Sequence, residues 1–374
     1  MRIALLSDIH SNILALKAVL EHSLTHDIDN YWFLGDLIGY GPNPIEAMQW
    51  IMGDYEDFLA PSEWVMGNHD VMLAELILKG RTGVADEITK DPLKNPIPDG
   101  LKYPNDINNL DEDDKPFDFN IHHRNISGKE NGSILYTGTS KGLFHKYLHW
   151  EDLSSITPLV ALELNRVELS KHEDVDSFWR HEFILDRVKP HQIHGKDLDI
   201  VLVHGSQVVP VLRYVYAWGR NIVLVEELRK LNEQAEERKH HRIQVFGHTH
   251  VQTFVRAKAQ QNEQEFEIDA VYVTPGIEYP LILDPEKISL AMINPGSVGQ
   301  PRDLDPRAAY AVLDTNKKTV TFYRVDYNFR EVFRQLQLKH YPNSLALKIL
   351  NATTTKGTPM EWEAHYRKIQ KGAV

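Results

Sequence analysis

Five short polar motifs stand in one order along the chain: Asp8-Ile9-His10, Gly35-Asp36, Gly67-Asn68-His69-Asp70, His204-Gly205 and Gly247-His248-Thr249-His250. Together they offer carboxylates, a carboxamide and several imidazoles, the oxygen and nitrogen donors that hold divalent transition-metal ions. The sequence contains no cysteine, so disulfides and thiolate sites are excluded and any metal must rest on His, Asp, Glu, Asn or water. A pair of neighbouring cations on such a donor set suits in-line attack of hydroxide on a phosphate ester.

The spacing within the motifs fits that chemistry. Asp8 and His10 lie two apart where regular structure ends, so both can converge on one ion. Asp36 has two carboxylate oxygens and can bridge two ions, while Asn68 offers an oxygen without adding charge. His204, His248 and His250 complete two sets. Taken singly, each motif has an ordinary explanation: Asp-x-His as a cap, Gly-Asp as a turn, Gly-Asn-His-Asp as an Asx turn before a helix, His204 as a buried histidine. The specificity lies in their ordered conjunction.

That conjunction depends on the elements that carry the motifs. Residues 2–7 form an apolar run that ends at Ser7-Asp8 and predicts a buried strand. Ile13, Leu16, Val19, Leu20 and Leu24 follow helical spacing, with Ser11 or Asn12 as the cap. Residues 31–34 and 64–66 predict two more strands, each running into a motif and followed by a helix, near 45–52 and 69–79. The pattern resumes at 200–203 before His204 and at 243–246 before Gly247. Further strands are predicted near 251–257, 266–273, 288–293, 308–314 and 318–325, in a more antiparallel half. Groups beyond the carboxyl ends of strands in an open α/β sheet collect in one place, so the motifs can meet.

Residues 81–195 break this rhythm. Pro92, Pro96, Pro98, Pro104 and Pro116 punctuate a polar stretch with an acidic run at 111–114, and helices are predicted at 153–169 and 175–188. The reading is an insertion, with a cap over the site as its candidate role. The last segment, 331–374, carries Leu336, Leu338, Leu345, Leu347 and Leu350 and reads as peripheral helix. His122-His123 and His240-His241 match no complete coordination set and are read as solvated surface. His145 and His149 stay unassigned for want of a third ligand.

Composition bounds the partners. The chain has 374 residues, 42% hydrophobic and 25% charged, with a formal net charge of −12. Without a basic run, that field opposes duplex nucleic acid, which is bound through clustered Lys and Arg. Small anions remain compatible, because bound cations reverse the local potential. The opening apolar run Met1-Arg2-Ile3-Ala4-Leu5-Leu6 is too short for a signal peptide or membrane span. The expectation is a cytoplasmic protein without a membrane partner.

The ordered series D-x-H, G-D, G-N-H-[DE], H, G-H-x-H resembles the calcineurin-like metallophosphoesterase superfamily, with every motif present over residues 1–80 and 196–325. The resemblance implies an α/β fold, a four-layer α/β/β/α sandwich of two mixed sheets with flanking helices. The core would comprise 1–80 and 196–330, with the cap-like insertion at 81–195 and the peripheral segment at 331–374. It implies one metal on Asp8, His10, Asp36 and His250, and a second on Asp36, Asn68, His204 and His248. His69 would be the general acid for the leaving oxygen, oriented by Asp70. The implied cofactors are two divalent ions, manganese foremost, with Fe, Zn, Co or Ni accepted by the same donors.

A second stretch, Asn294-Pro295-Gly296-Ser297-Val298-Gly299-Gln300-Pro301-Arg302, resembles the C-terminal signature of the small bacterial and archaeal phosphodiesterase branch. Arg302 is a candidate for bidentate contact with substrate phosphate, against the plainer reading of the stretch as a rigid turn. Protein serine/threonine phosphatases, and the dinucleoside tetraphosphate hydrolases related to them, carry an arginine soon after Gly-Asp. Here Leu37-Ile38-Gly39-Tyr40-Gly41-Pro42 contains none. The expected function is therefore a phosphodiesterase acting on a small or nucleotide-like ester by attack of metal-bridging hydroxide. A phosphomonoesterase, a protein phosphatase, a dinucleoside polyphosphate hydrolase and a non-catalytic scaffold of the same fold are the alternatives.

Overall fold

Strand β1 (Arg2–Leu6) is buried at four of its five positions, which is what an unbroken apolar run needs at the centre of a sheet covered on both faces. The computed structural model describes residues 1–79, 153–172, 187–217, 222–259 and 266–341, with Asp174, Phe178, Leu345, Lys348, Ile349 and Ala352. β1 pairs in parallel with β2 (Asn30–Phe33), which pairs in parallel with β3 (Glu63–Trp64). On its other edge β1 meets the antiparallel β11 (Ala308–Asp314), followed by β12 (Thr319–Val325) and the short β9 (Glu278–Pro280).

The second sheet runs in the order β4 (His191–Ile193), β5 (Leu198–Leu202), β6 (His241–Val245), β10 (Leu290–Pro295), β7 (Gln252–Ala259), β8 (Phe266–Val271). Here β5, β6 and β10 are mutually parallel and the flanking pairs antiparallel. Both sheets are thus mixed, as expected. Alternate residues face inward: Ile3 and Leu5, Ile243 and Val245, Ala311 and Leu313, and Val320 and Phe322 share one buried cluster between the sheets. Each such Leu, Ile or Phe contributes about 1.5–3 kcal/mol through burial.

Helices cover the outer faces. α1 (Ile13–Ser23) and α2 (Pro44–Met52) back the first sheet, where Trp50 meets Phe33 edge-on with centroids 5.9 Å apart. Asn12 caps α1 by accepting from the Ala15 N–H at 3.2 Å. On the second sheet α5 (Ile222–Arg238) buries Leu224, Leu228, Leu231 and Ala235 against Val201, Val203 and Phe246. The sequence reading assigned no element to α5, whose first turn is crowded with Ile222, Val223 and Val225. Packing of its leucine stripe decides the helix. α3 (Asn68–Lys79), α4 (Leu153–Leu169) and α6 (Phe329–Leu338) complete the described helices. None of the described helices is long and apolar enough to cross a membrane.

The chain divides into two compact units, one of residues 1–80 with 157–374 and one of 81–156. Most of α4 and all of β4, grouped above with the insertion, therefore lie in the unit that carries the sheets. Residues 81–152 of the expected insertion, with His122, His123, His145, His149 and the acidic run at 111–114, lie outside the described residues, as does most of the helix expected at 175–188. His240 and His241 have structural partners: His240 Nδ1 lies 3.3 Å from Asp199, and His241 Nδ1 accepts the Ser289 N–H at 3.1 Å.

Candidate metal centre

The parallel strands position the site. β1 and β2 in one sheet and β5 and β6 in the other each end on a polar loop carrying Asp8, Asp36, His204 or His248, respectively, while β3 leads to Asn68 at the start of a helix and β10 carries Asn294 at its own C-terminal end. Side chains from both sheets consequently meet at one end of the sandwich.

The backbone bends sharply to bring them there. Asp8 (φ 53), His10 (φ 50), Asp36 (φ 58), His248 (φ 66) and His250 (φ 60) all adopt left-handed conformations. Such residues cost on the order of 1–3 kcal/mol each and persist where the surroundings over-determine them. Two glycines allow the close approach: a Cβ on Gly67 would lie 2.0 Å from Asp36 Oδ1, and one on Gly247 would lie 1.9 Å from Ser7 Oγ.

Two sets of donor atoms result, each within 4.8 Å: Asp8, His10, Asp36 and His250, and Asp36, His204 and His248. Asp36 belongs to both, its Oδ2 lying 3.6 Å from His10 Nε2 and 3.4 Å from His204 Nε2. Asn68 Oδ1 reaches the second set, 3.3 Å from His204 Nε2. His248 presents Nδ1 there, 3.1 Å from the same atom.

The hydrogen bonds behind these atoms show what the clusters lack. His10 Nδ1 meets the Ile38 carbonyl at 3.1 Å, His204 Nδ1 the Leu34 carbonyl at 2.7 Å, and His250 Nδ1 the Gln300 carbonyl at 2.6 Å. A carbonyl only accepts, so each Nδ1 carries the proton and each Nε2 turns a lone pair inward. His10 Nε2 then faces His250 Nε2 at 3.2 Å, and His250 Nε2 faces Asp8 Oδ1 at 3.1 Å. Asp8 Oδ2 is occupied by the Ser7 hydroxyl at 2.6 Å and the His248 N–H at 3.1 Å, leaving Oδ1 buried without a donor. Lone pairs converging in a buried site require a cation, and His, Asp and Asn donors fit first-row divalent ions.

The electrostatics agree. Burial opposes ionisation of Asp8 and Asp36, yet the surrounding imidazoles outweigh it and hold both carboxyls below their usual range. Burial likewise disfavours a charged His204, but Asp36 prevails and raises this imidazole to about 9. His10 and His248 are driven down chiefly by burial. The cluster therefore attracts positive charge, and among its own side chains His204 takes a proton in answer.

The remaining predicted residues surround this centre. The His69 ring lies 4.9 Å from His10, and its Nδ1 is buried without a partner. Burial, with Arg302 adding and Asp36 opposing, lowers it to about 4. Asp70 is not hydrogen-bonded to that ring. Its carboxylate accepts the backbone N–H groups of Asp36 (2.7 Å), Leu37 (2.9 Å), Ile38 (3.3 Å) and Gly67 (3.0 Å), stitching two ligand loops together. In the 294–302 stretch, Asn294 donates to the Gly247 carbonyl at 2.7 Å and Ser297 to the Asp8 carbonyl at 2.8 Å, so much of it is scaffold. Arg302 is half-buried at the edge, its charge close to Tyr40 and Tyr214.

Sequence reasoning missed three contributors. Tyr40 packs on His10 and His69 with centroids 4.6 and 4.5 Å apart, and Tyr214 stacks on His248 at 3.9 Å. Asn165, from α4, ties the site loops by accepting from Ser11 Oγ at 2.9 Å and the Gly39 N–H at 2.8 Å, and by donating to the Gly41 carbonyl at 3.1 Å. Only the position of Tyr40 beside the Gly-Asp motif carried any signal.

A family model for the calcineurin-like phosphoesterases matches residues 1–252, spanning β1 to the start of β7 and all five motifs. The chain belongs to that family. It is a metallophosphoesterase, a hydrolase acting on phosphate ester bonds. Over 49 residues it is 49% identical to the uncharacterized protein MJ0912 of Methanocaldococcus jannaschii, a match covering 13% of this chain and 20% of that protein. The fold is similar to a metallophosphoesterase from Sphaerobacter thermophilus, with TM-score 0.56 and 22% identity over 94% of this chain and 99% of that one. It is also similar to the hypothetical protein PH1004 from Pyrococcus horikoshii, with TM-score 0.53 and 14% identity over 95% and 99% of the two chains. At these identities the structures speak for the fold alone.

Proposed function

We propose that this metallophosphoesterase is a dinuclear phosphodiesterase, cleaving a small or nucleotide-like phosphate ester with His69 as general acid. The observation that carries the two-ion reading is the shared position of Asp36 Oδ2, 3.6 Å from an imidazole of one set and 3.4 Å from an imidazole of the other. Asp8, His10, Asp36 and His250 would hold one ion, and Asp36, Asn68, His204 and His248 the other. When bound, such a pair supplies a water-derived nucleophile at neutral pH and neutralises charge on the phosphoryl oxygens. Manganese is the first candidate, on the all-N/O donor set.

His69 is suited to proton transfer by its place at the rim of both sets and by an Nδ1 that no protein group occupies. Burial keeps it neutral at rest, and the negative charge of an arriving phosphate favours its protonated form. Asp70 acts through the backbone: by holding residues 36–38 against Gly67 it fixes where Asp36 and His69 stand. Arg302, beside Tyr40 at the edge of the site, would grip a non-bridging oxygen. Intracellular action is part of the proposal.

Hydrolysis of bis-p-nitrophenyl phosphate by the manganese-loaded protein tests this reading, alongside metal content by mass spectrometry. Turnover with two bound ions per chain is expected. A protein that binds no Mn, Co, Ni or Fe and hydrolyses no diester would overturn it, and strong preference for p-nitrophenyl phosphate would reassign it to monoesters.

A further inference from the structure

The described part of the C-terminal segment ends beside the site, and it brings a charge with it. Leu345, Ile349 and Ala352 are buried, and Ala352 is anchored by its carbonyl, which accepts the Leu304 N–H at 3.0 Å. Leu345, Lys348, Ile349 and Ala352 follow the i, i+3, i+4, i+7 spacing of a single helix face. Lys348 thus sits on the inward face of this stretch, half-buried, where an apolar residue would ordinarily pack. Its Nζ lies 5.8 Å from the centroid of Tyr40. That ring in turn packs against both His10 and His69, so one aromatic ring separates the ammonium from the metal-ligand shell.

Among the described residues Lys348 has no carboxylate partner, unlike Lys17, Lys258 and Lys318, which pair with Glu56, Glu267 and Asp197. The second charge nearby is also a cation. Burial lowers the Lys348 ammonium to about 8, and Arg302 lowers it further by repulsion. A buried cation beside another cation is costly unless an anion joins them. The two charges arrive from separate parts of the chain: Arg302 beyond the end of β10, Lys348 on the inward helix face of the tail.

We propose that Lys348 and Arg302 form a cationic subsite over Tyr40 that receives a second phosphoryl group of the substrate, beside the scissile one. The proposal rests on the phosphoesterase reading above and narrows its substrate class. Preferred esters carry a further phosphate next to the reacting phosphorus, as in pyrophosphate-linked or terminally phosphorylated nucleotides. Tyr40 provides the floor of the subsite and spaces it from His69. Lys348 acts in recognition, as a specificity-determining residue.

Calorimetric titration of inorganic pyrophosphate and of inorganic phosphate into the full-length, manganese-loaded protein tests it without requiring turnover. Wild-type protein should bind pyrophosphate more tightly than phosphate. Lys348→Gln and Lys348→Met should each weaken pyrophosphate about tenfold more than phosphate, the scale of one charge-assisted hydrogen bond. Lys348→Arg should keep most of the preference. Equal weakening of both anions, no change in either, or no binding of either anion by wild-type protein would overturn the proposal. Lys348→Met also separates recognition from packing: its melting temperature should match or exceed that of wild type, since a buried charge is removed. A lower melting temperature with intact pyrophosphate preference would mark a structural lysine and overturn the assignment. If wild-type protein hydrolyses no ester yet shows this anion selectivity, the reaction assignment fails and the subsite stands.

Discussion

Asp36 accepts the backbone N–H of His69 on Oδ1 at 2.8 Å, which leaves Oδ2 free to stand between the imidazoles of His10 and His204. One carboxylate thereby sets the distance between the two donor sets and the position of the proposed acid. Asp36→Ala should abolish binding of both ions, while Asp8→Ala should remove chiefly the first. His69→Ala should keep both ions and lower kcat by about 10²–10⁴-fold, the usual contribution of a positioned acid. Metal stoichiometry and steady-state rates on the same preparations separate the outcomes. Loss of metal in His69→Ala would show that the ring supports the site rather than donating a proton.

Removal of metal should be felt as instability. Lone pairs of His10, His250 and Asp8 face one another at 3.1–3.2 Å, and a cation relieves their repulsion only in the folded chain. Free metal at about 1,000 times its Kd stabilises by about 4 kcal/mol. A chelated sample should therefore melt several degrees lower and recover on addition of Mn. Calorimetric scans with and without chelator would detect it, and an unchanged melting temperature would speak against a preorganised metal site.

Asn165 is the sole side chain of α4 described as holding both the 11 and the 39–41 loops, and it also donates to the Tyr341 hydroxyl at 2.7 Å. Asn165→Ala leaves buried donors and acceptors unsatisfied, at a cost of about 1–3 kcal/mol. Urea unfolding should show that loss. Because the 39–41 loop carries Tyr40, the kcat of the variant should fall too, with metal content retained. Wild-type stability in Asn165→Ala would mean that these bonds contribute nothing net.

Asp199 organises the far end of the second sheet, and its pH dependence can be signed. Burial opposes its charge, but His240 at 3.3 Å, the Gly195 N–H at 3.1 Å and Arg238 at 2.7 Å outweigh it, so the folded pKa lies below the ordinary 3.8. With the folded value depressed, the stabilisation is fully present above pH 3.8 and is lost as pH falls through the folded pKa. Arg238 is partly exposed, so after screening that pair contributes at most about 1 kcal/mol. The gap in urea midpoint between wild type and Asp199→Asn should be widest near neutrality and close in acid. A gap that widens toward acid would reverse the argument.

Much of the site was legible because metal chemistry restricts residue types. Asp8, His10, Asp36, His204, His248 and His250 each follow an apolar run, and strand ends are readable from hydrophobic period alone. The helix α5 escaped because its β-branched first turn competes with its leucine stripe, and β9, at three residues, is too short to show a period. That Asp70 makes no direct bond to the His69 ring has a different origin. Its neighbour in sequence is His69, but the left-handed turn at Asp36 brings backbone N–H groups to its carboxylate instead.

The sequence by itself determined the donor set, the strand-end placement and the family, since these depend on residue type and local period. Only the tertiary structure decided that Asp36 is shared, that the backbone carbonyls of Leu34, Ile38 and Gln300 turn three imidazoles inward, and that Tyr40, Tyr214, Asn165 and Lys348 surround the site. Those relations join residues tens to hundreds of positions apart, and they arise from the packing of two sheets whose parallel strands end together. Local spacing carries no record of such contacts, because loop closure over that length is governed by the whole fold.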